Sequence, residues 1–275
     1  MKKVWFVTGA SKGLGLSLAK KLLAQGYSVA ATSRNITHLK NAVGITDAHF
    51  LPLEVDLTNE KAIENAITKT HAHFGSLDVV VNNAGYGIGG TVEELSIEEI
   101  QNSFKINVYA PIWVMQKALA IFRKQQSGYI INISSIAGFS AASGWAMYAA
   151  TKFALTGMTE VLSQDLEGMG IYATVVAPGA FRTEFLTSES LVFSKKEIAD
   201  YKMVRDSHKK YAAMDGKQMG NPELAADVFI ELAKMKVPPV RLFLGSDSYE
   251  RAKNKIANLV KELEDYKVLS EQTDY

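Results

Sequence analysis

No cysteine occurs in this chain. Disulfides, thiolate metal sites and a cysteine nucleophile are therefore excluded. There is no excess of charge of either sign: 30 Lys+Arg against 29 Asp+Glu leave a formal net charge of +1. No global basic field exists to hold nucleic acid or an anionic membrane, and neither is expected as a partner. Long apolar runs are missing too. No stretch approaches the ~18 residues needed to span a bilayer. The run Val4-Trp5-Phe6-Val7 behind Met1-Lys2-Lys3 is too short for the core of a signal peptide. The five histidines form no ligand set, so no metal is expected. A soluble, cytoplasmic protein is the expectation.

What is present is a chain of 275 residues, 47% hydrophobic and 21% charged. That composition is ordinary for a globular protein and large enough to bury a substantial core. Short apolar runs alternate with helical patterns. Strands are expected at 4–8, 28–33, 50–55, 77–82, 129–134, 172–177 and 241–244. Helices are expected at 14–25, 60–74, 96–123 and 147–169. The strand runs are apolar throughout rather than alternating, as in strands covered on both faces. The order predicts an α/β fold, a doubly wound Rossmann-type parallel sheet of about seven strands with helices on both faces. No repeat or interdomain linker interrupts it, so residues 1–275 form one domain. The regularity breaks at about 182–221, a polar, Met-bearing stretch that reads as a substrate-binding insertion or lid. A charged helical extension follows at about 247–275.

The loop Thr8-Gly9-Ala10-Ser11-Lys12-Gly13-Leu14-Gly15 lies between the first strand and the first helix. Its glycines let the backbone turn tightly, and the helix N-terminus offers free N–H groups to a pyrophosphate. The usual Gly-x-Gly-x2-Gly fingerprint occurs instead at Gly85–Gly90, where no helix opens, so that match is a decoy. The second strand ends at Ser33-Arg34. An acidic residue there would hold the ribose hydroxyl of NAD, whereas a guanidinium grips a 2′-phosphate. With Lys12 as a second cation, the expected cofactor is NADPH/NADP+ rather than NADH.

Tyr148 and Lys152 are four apart and share a helix face. Tyr249 and Lys253 repeat that spacing, so the pair alone says little. Ser135 separates the two cases: it stands thirteen residues before Tyr148, at the end of a strand, and no serine stands so before Tyr249.

Taken with Asn82-Asn83-Ala84-Gly85, Asn107 and Pro178-Gly179, these motifs resemble the short-chain dehydrogenase/reductase family from Lys3 to about Thr183. The later region is similar to its 17β-hydroxysteroid-dehydrogenase-like subgroup. The resemblance implies a mechanism. Tyr148 exchanges a proton with the substrate oxygen, Lys152 lowers its pKa and contacts the nicotinamide ribose, and Ser135 hydrogen-bonds the substrate oxygen. Asn107 anchors a water that links Lys152 to solvent. It also implies a cofactor shell. Gly9, Ser11, Lys12, Gly13, Leu14 and Gly15 form the phosphate loop, and Ser33 and Arg34 the 2′-phosphate site. Asp56 and Leu57 lie at the adenine, and Asn83, Ala84 and Gly85 along the adenosine ribose. Pro178, Gly179, Phe181 and Thr183 hold the nicotinamide end, with Tyr148 and Lys152.

The reading is an NADPH-dependent carbonyl reductase or alcohol dehydrogenase acting on an apolar ketone, aldehyde or secondary alcohol. Trp145 and Met147, next to Tyr148, are candidate pocket residues. A catalytically silent NADP(H)-binding regulatory protein is the alternative, although it should lack the proton donor or its lysine. A sugar-nucleotide epimerase would carry a Gly-x2-Gly-x2-Gly loop and a larger C-terminal domain. A homodimer or homotetramer is expected, paired through helices around 107–123 and 149–167.

Overall fold

The computed structural model describes residues 2–275. Seven strands form one sheet: β1 (Val4–Val7), β2 (Ser28–Ser33), β3 (Phe50–Glu54), β4 (Val79–Asn82), β6 (Gly128–Ile133), β7 (Ile171–Pro178) and β9 (Arg241–Leu244). Their order is β3-β2-β1-β4-β6-β7-β9 and every pairing is parallel. Parallel neighbours need crossovers, and helices supply them. One face is covered by α1 (Gly13–Ala24), α2 (Ile36–Val43) and α8 (Pro222–Lys234), packed on Trp5, Val7, Val29, Val79 and Ile131. The other carries α3 (Glu60–Phe74), α5 (Ala110–Gln125) and α6 (Ala146–Asp165), packed on Phe6, Ala30, Val80 and Ile130. Alternate residues of one strand thus feed two separate cores, which is why the strands read as continuous apolar runs.

Helix boundaries follow local chemistry. The Asn59 side chain accepts the Ala62 N–H at the start of α3, and Gly75 ends that helix in the left-handed region. A Ser96/Glu99 capping box opens α4 (Ile97–Phe104). The single helix expected over 96–123 is divided: a π-helical turn at Lys105–Tyr109 separates α4 from α5. The strand expected at 77–82 starts at Val79, and the helix expected to reach 169 ends at Asp165.

Two short strands had no sequence signal. β5 (Gly87–Gly89) and β8 (Leu191–Phe193) pair in parallel as a second sheet. The decoy fingerprint therefore has a structural use. A Cβ at Gly87 would stand 2.7 Å from Leu191, and one at Gly89 equally close to Phe193. The glycines clear space for the stretch after β7 to dock. That stretch continues into α7 (Lys202–Ala212). Beyond β9, α9 (Ser246–Asp265) and α10 (Lys267–Glu271) leave the body with Ile256, Val260 and Leu263 exposed. Among the described residues no helix is long and apolar enough to cross a membrane, and no group of His, Asp and Glu could hold a metal ion.

Candidate active site

Strand order reverses between β1 and β4, and the carboxyl ends of the parallel strands open a crevice there. The residues singled out in the sequence follow those ends. Gly9 to Gly13 follow β1, Ser33 and Arg34 close β2, and Asp56 follows β3. Asn83 to Gly85 follow β4, Ser135 follows β6, and Gly179 to Thr183 follow β7.

Thr8 holds two of these loops together. Its hydroxyl accepts the Asn83 and Ala84 N–H groups at 3.0 and 3.1 Å, and the Asn83 amide donates to the Thr8 and Gly9 carbonyls at 2.9 Å. Asn83 is thus a staple between β1 and β4 within the region expected to line a ribose. Gly13, at φ +58°, starts α1 with its N–H directed outward, a conformation that side chains resist. That N–H is met by a carboxylate: Glu184 Oε2 accepts it at 3.2 Å. Lys12 Nζ likewise pairs with Glu189 Oε2 at 3.0 Å. The loop therefore binds anionic oxygens through the donors a pyrophosphate would use, so its chemistry fits the phosphates of a dinucleotide. Arg34 is exposed beside Asp56 and Glu189, and its positive charge helps to hold both carboxyls below their ordinary values.

One Asp56 oxygen accepts the N–H and hydroxyl of Thr58 at 2.9 and 2.8 Å, the largest causes of that lowering. Asp56 thus closes its own turn, and its carboxylate remains exposed at the position expected to meet an adenine. The Leu57 side chain, by contrast, is in the core. At the other end Asp247 Oδ2 accepts the Ala180 N–H at 2.8 Å, and a Cβ at Gly179 would run into its carboxylate. Asp247 shapes the Pro178-Gly179 turn, a role that the sequence did not assign it.

Tyr148 and Lys152 lie on α6, both buried. Lys152 Nζ donates to the Ile133 carbonyl at 3.0 Å and stands 5.9 Å from the Tyr148 ring centre. Ser135 follows β6, and its Oγ accepts the Ala137 N–H at 3.1 Å. Burial raises Tyr148 to about 12, with the nearby Ser135 hydroxyl pulling the other way, and burial lowers Lys152 to about 8. The Tyr148 shift is thus upward and set by desolvation, with no contribution from Lys152 among its causes.

Asn107 sits in the π-helical turn. Its Oδ1 accepts the Tyr86 N–H at 3.1 Å, while its Nδ2 donates to the Tyr86 carbonyl at 2.9 Å and to Thr151 at 3.2 Å. These contacts tie the turn to the loop after β4 and to α6.

The stretch at 182–221 walls the site. Phe185 lies 6.0 Å from the Tyr148 ring, and Trp145 packs on Phe193, His208 and Tyr211. Trp145 is thus a buried support of this wall. Glu94, fully buried, anchors it by accepting the Ile198 N–H at 2.8 Å and pairing with Arg205. Those donors, with Thr91, hold the carboxyl at about 2 against the upward pull of burial. A cavity of about 230 Å³ lies along Phe181, Leu224, Leu244 and Asp247, away from Tyr148 and Ser135.

The comparisons agree with this fold. Residues 3–191 match the short chain dehydrogenase family. An uncharacterized oxidoreductase of Schizosaccharomyces pombe is 34% identical, covering 96% of this chain and 89% of the relative. A 3-ketodihydrosphingosine reductase of Bacteroides thetaiotaomicron is 30% identical, covering 88% of each. The crystal structure of a short-chain dehydrogenase from Streptomyces avermitilis superposes with a TM-score of 0.92 at 30% identity, covering 100% of this chain and 99% of that one. ElxO with NADP bound gives 0.76 at 26% identity, covering 91% and 100%.

Proposed function

Since the chain belongs to the short chain dehydrogenase family, we propose that it is an NADPH-dependent carbonyl reductase or alcohol dehydrogenase for an apolar ketone, aldehyde or secondary alcohol. The observation that carries this reading is the buried Tyr148 phenol on α6, with Ser135 at the end of β6 acting on it and a buried Lys152 beside it. In the reducing direction Tyr148 Oη gives its proton to the substrate oxygen, and Ser135 Oγ donates a hydrogen bond to that oxygen as negative charge develops. Lys152 Nζ stabilises the tyrosinate that remains. The chemistry that bound NADPH supplies is a hydride for the carbonyl carbon.

The glycine loop is suited to the pyrophosphate, and Lys12 and Arg34 to the 2′-phosphate. Asp56 is suited to the adenine, and Gly179, Phe181 and Thr183 to the nicotinamide end. Phe185 beside Tyr148 favours an apolar substrate, and a relative named as a 3-ketodihydrosphingosine reductase fits that class. The reading includes a cytoplasmic homodimer or homotetramer, paired through faces around α5 and α6 that leave Tyr109, Phe153 and Val161 exposed.

The test follows NADPH oxidation over a panel of ketones and aldehydes, with Tyr148→Phe as control. Turnover that drops by at least about a hundredfold in the variant, with NADPH affinity unchanged, is the expected result. Full turnover without the hydroxyl would remove Tyr148 as proton donor. NADPH binding without turnover on any substrate would favour the silent regulatory protein.

A further inference from the structure

Two carboxylates sit where a dinucleotide's phosphates are expected. Both come from the short strap that leaves β7. Glu184 accepts the Gly13 N–H, and Glu189 pairs with Lys12 in the field of Arg34 and His38. Neither acid has another role in the fold. The Glu189 side chain is 76% exposed, and exposed pairs are weak and screened by salt. Glu184 spends its charge on a single backbone N–H. These contacts are strong enough to close the strap over the loop and weak enough to yield.

The same strap carries the wall of the substrate pocket. Phe185 follows Glu184 directly and packs on the Tyr148 ring. Leu191 stands two residues after Glu189, in β8 against Gly87. The next strap residues reach Trp145 through Phe193. A shift of the strap backbone that takes the carboxylates off the loop would also move Phe185 against Tyr148.

We propose that Glu184 and Glu189 are built-in competitors for the phosphate cradle, so that a phosphorylated cofactor must displace the strap in order to bind and in doing so reshapes the pocket beside Tyr148. This rests on the NADP(H) reading above. Its consequence is specific: the two acids weaken cofactor binding, although they lie inside the cofactor site. It also orders the encounter, because the pocket wall takes its working position only after the phosphates have arrived.

The experiment titrates NADPH into the native protein and into E184Q, E189Q and the double variant, read by cofactor fluorescence without substrate. Each amide is expected to tighten NADPH about three- to tenfold, the effect of removing one like charge near the phosphates at the surface. A parallel titration with inorganic phosphate reads the melting temperature. Phosphate should raise it more in the variants than in the native protein. Emission from Trp145, identified by its loss in Trp145→Phe, should shift when phosphate or 2′,5′-ADP is added.

Unchanged or weaker NADPH binding in the variants would overturn the proposal, since carboxylates that clamp a bound cofactor would behave in that way. If the native protein binds no NADPH, the cofactor reading fails. The phosphate titration then still decides whether the acids occupy an anion cradle. Should E184Q fail to fold, E189Q carries the same prediction alone.

Discussion

Burial at Lys152 works against the fold while serving the site. Its ammonium titrates near 8 rather than at the ordinary 10.5. The folded state therefore holds that proton less tightly than the unfolded chain, and the burial costs stability at every pH below about 8. The cost fades as pH rises from 8 to 10.5. Relative to native protein, Lys152→Met is expected to be more favoured at pH 7 than at pH 10.5, by on the order of 2–3 kcal/mol. Thermal melts across that range read the narrowing gap. Turnover should be lost at all pH values. Arg34 is the opposite kind of residue, exposed and cheap to change. Arg34→Asp should shift the ratio of NADPH to NADH dissociation constants by about 10- to 100-fold toward NADH, the worth of a charge-assisted hydrogen-bond pair exchanged for repulsion. Both residues were legible from type and spacing. The partners of Asn107 and Asp247 were not: Asn107 bonds Tyr86 after β4 and Thr151 on α6, and Asp247 stands 68 residues beyond the turn it shapes.

Glu94 shows how one buried group fixes an element that the sequence left unresolved. Nothing local marks it as more than a surface acid ahead of α4, because its partners Ile198 and Arg205 lie a hundred residues away. Its carboxyl is held near 2, below the ordinary 4.5, so its contribution is fully present above pH 4.5 and is lost as pH falls toward 2. Glu94→Gln keeps the size but leaves Arg205 with only the longer pair to exposed Glu197 at 3.6 Å. It should cost about 2–4 kcal/mol of local stability, raise KM more than it lowers NADPH affinity, and speed proteolysis within 182–221. An unchanged cleavage rate would mean that the aromatic packing around Trp145 holds the stretch unaided. The missed elements share one cause. β5 and β8 are three residues long and owe their pairing to each other, so no periodicity could announce them. The π-helical turn at Lys105–Tyr109 is likewise set by the Tyr86 and Thr151 contacts of Asn107, and an apolar pattern runs through it without a break.

The sheet was the most legible part, since strands covered on both faces leave unbroken Val, Ile and Ala runs such as Val79-Val80-Val81. Its strand order has a further consequence for how the protein is made. β1, β2, β3 and β4 complete a contiguous four-stranded unit by residue 82. Each of β6, β7 and β9 then joins at the same growing edge, beside the strand made just before it. No late strand has to wedge between two earlier ones. Assembly can therefore keep pace with the ribosome, in the order of synthesis. The exposed moment falls between Asn82 and Gly128, while the apolar flank of β4 waits for its neighbour. An unpaired hydrophobic strand edge is a site of aggregation, so nascent chains stalled in that interval are the ones a chaperone would need to shield.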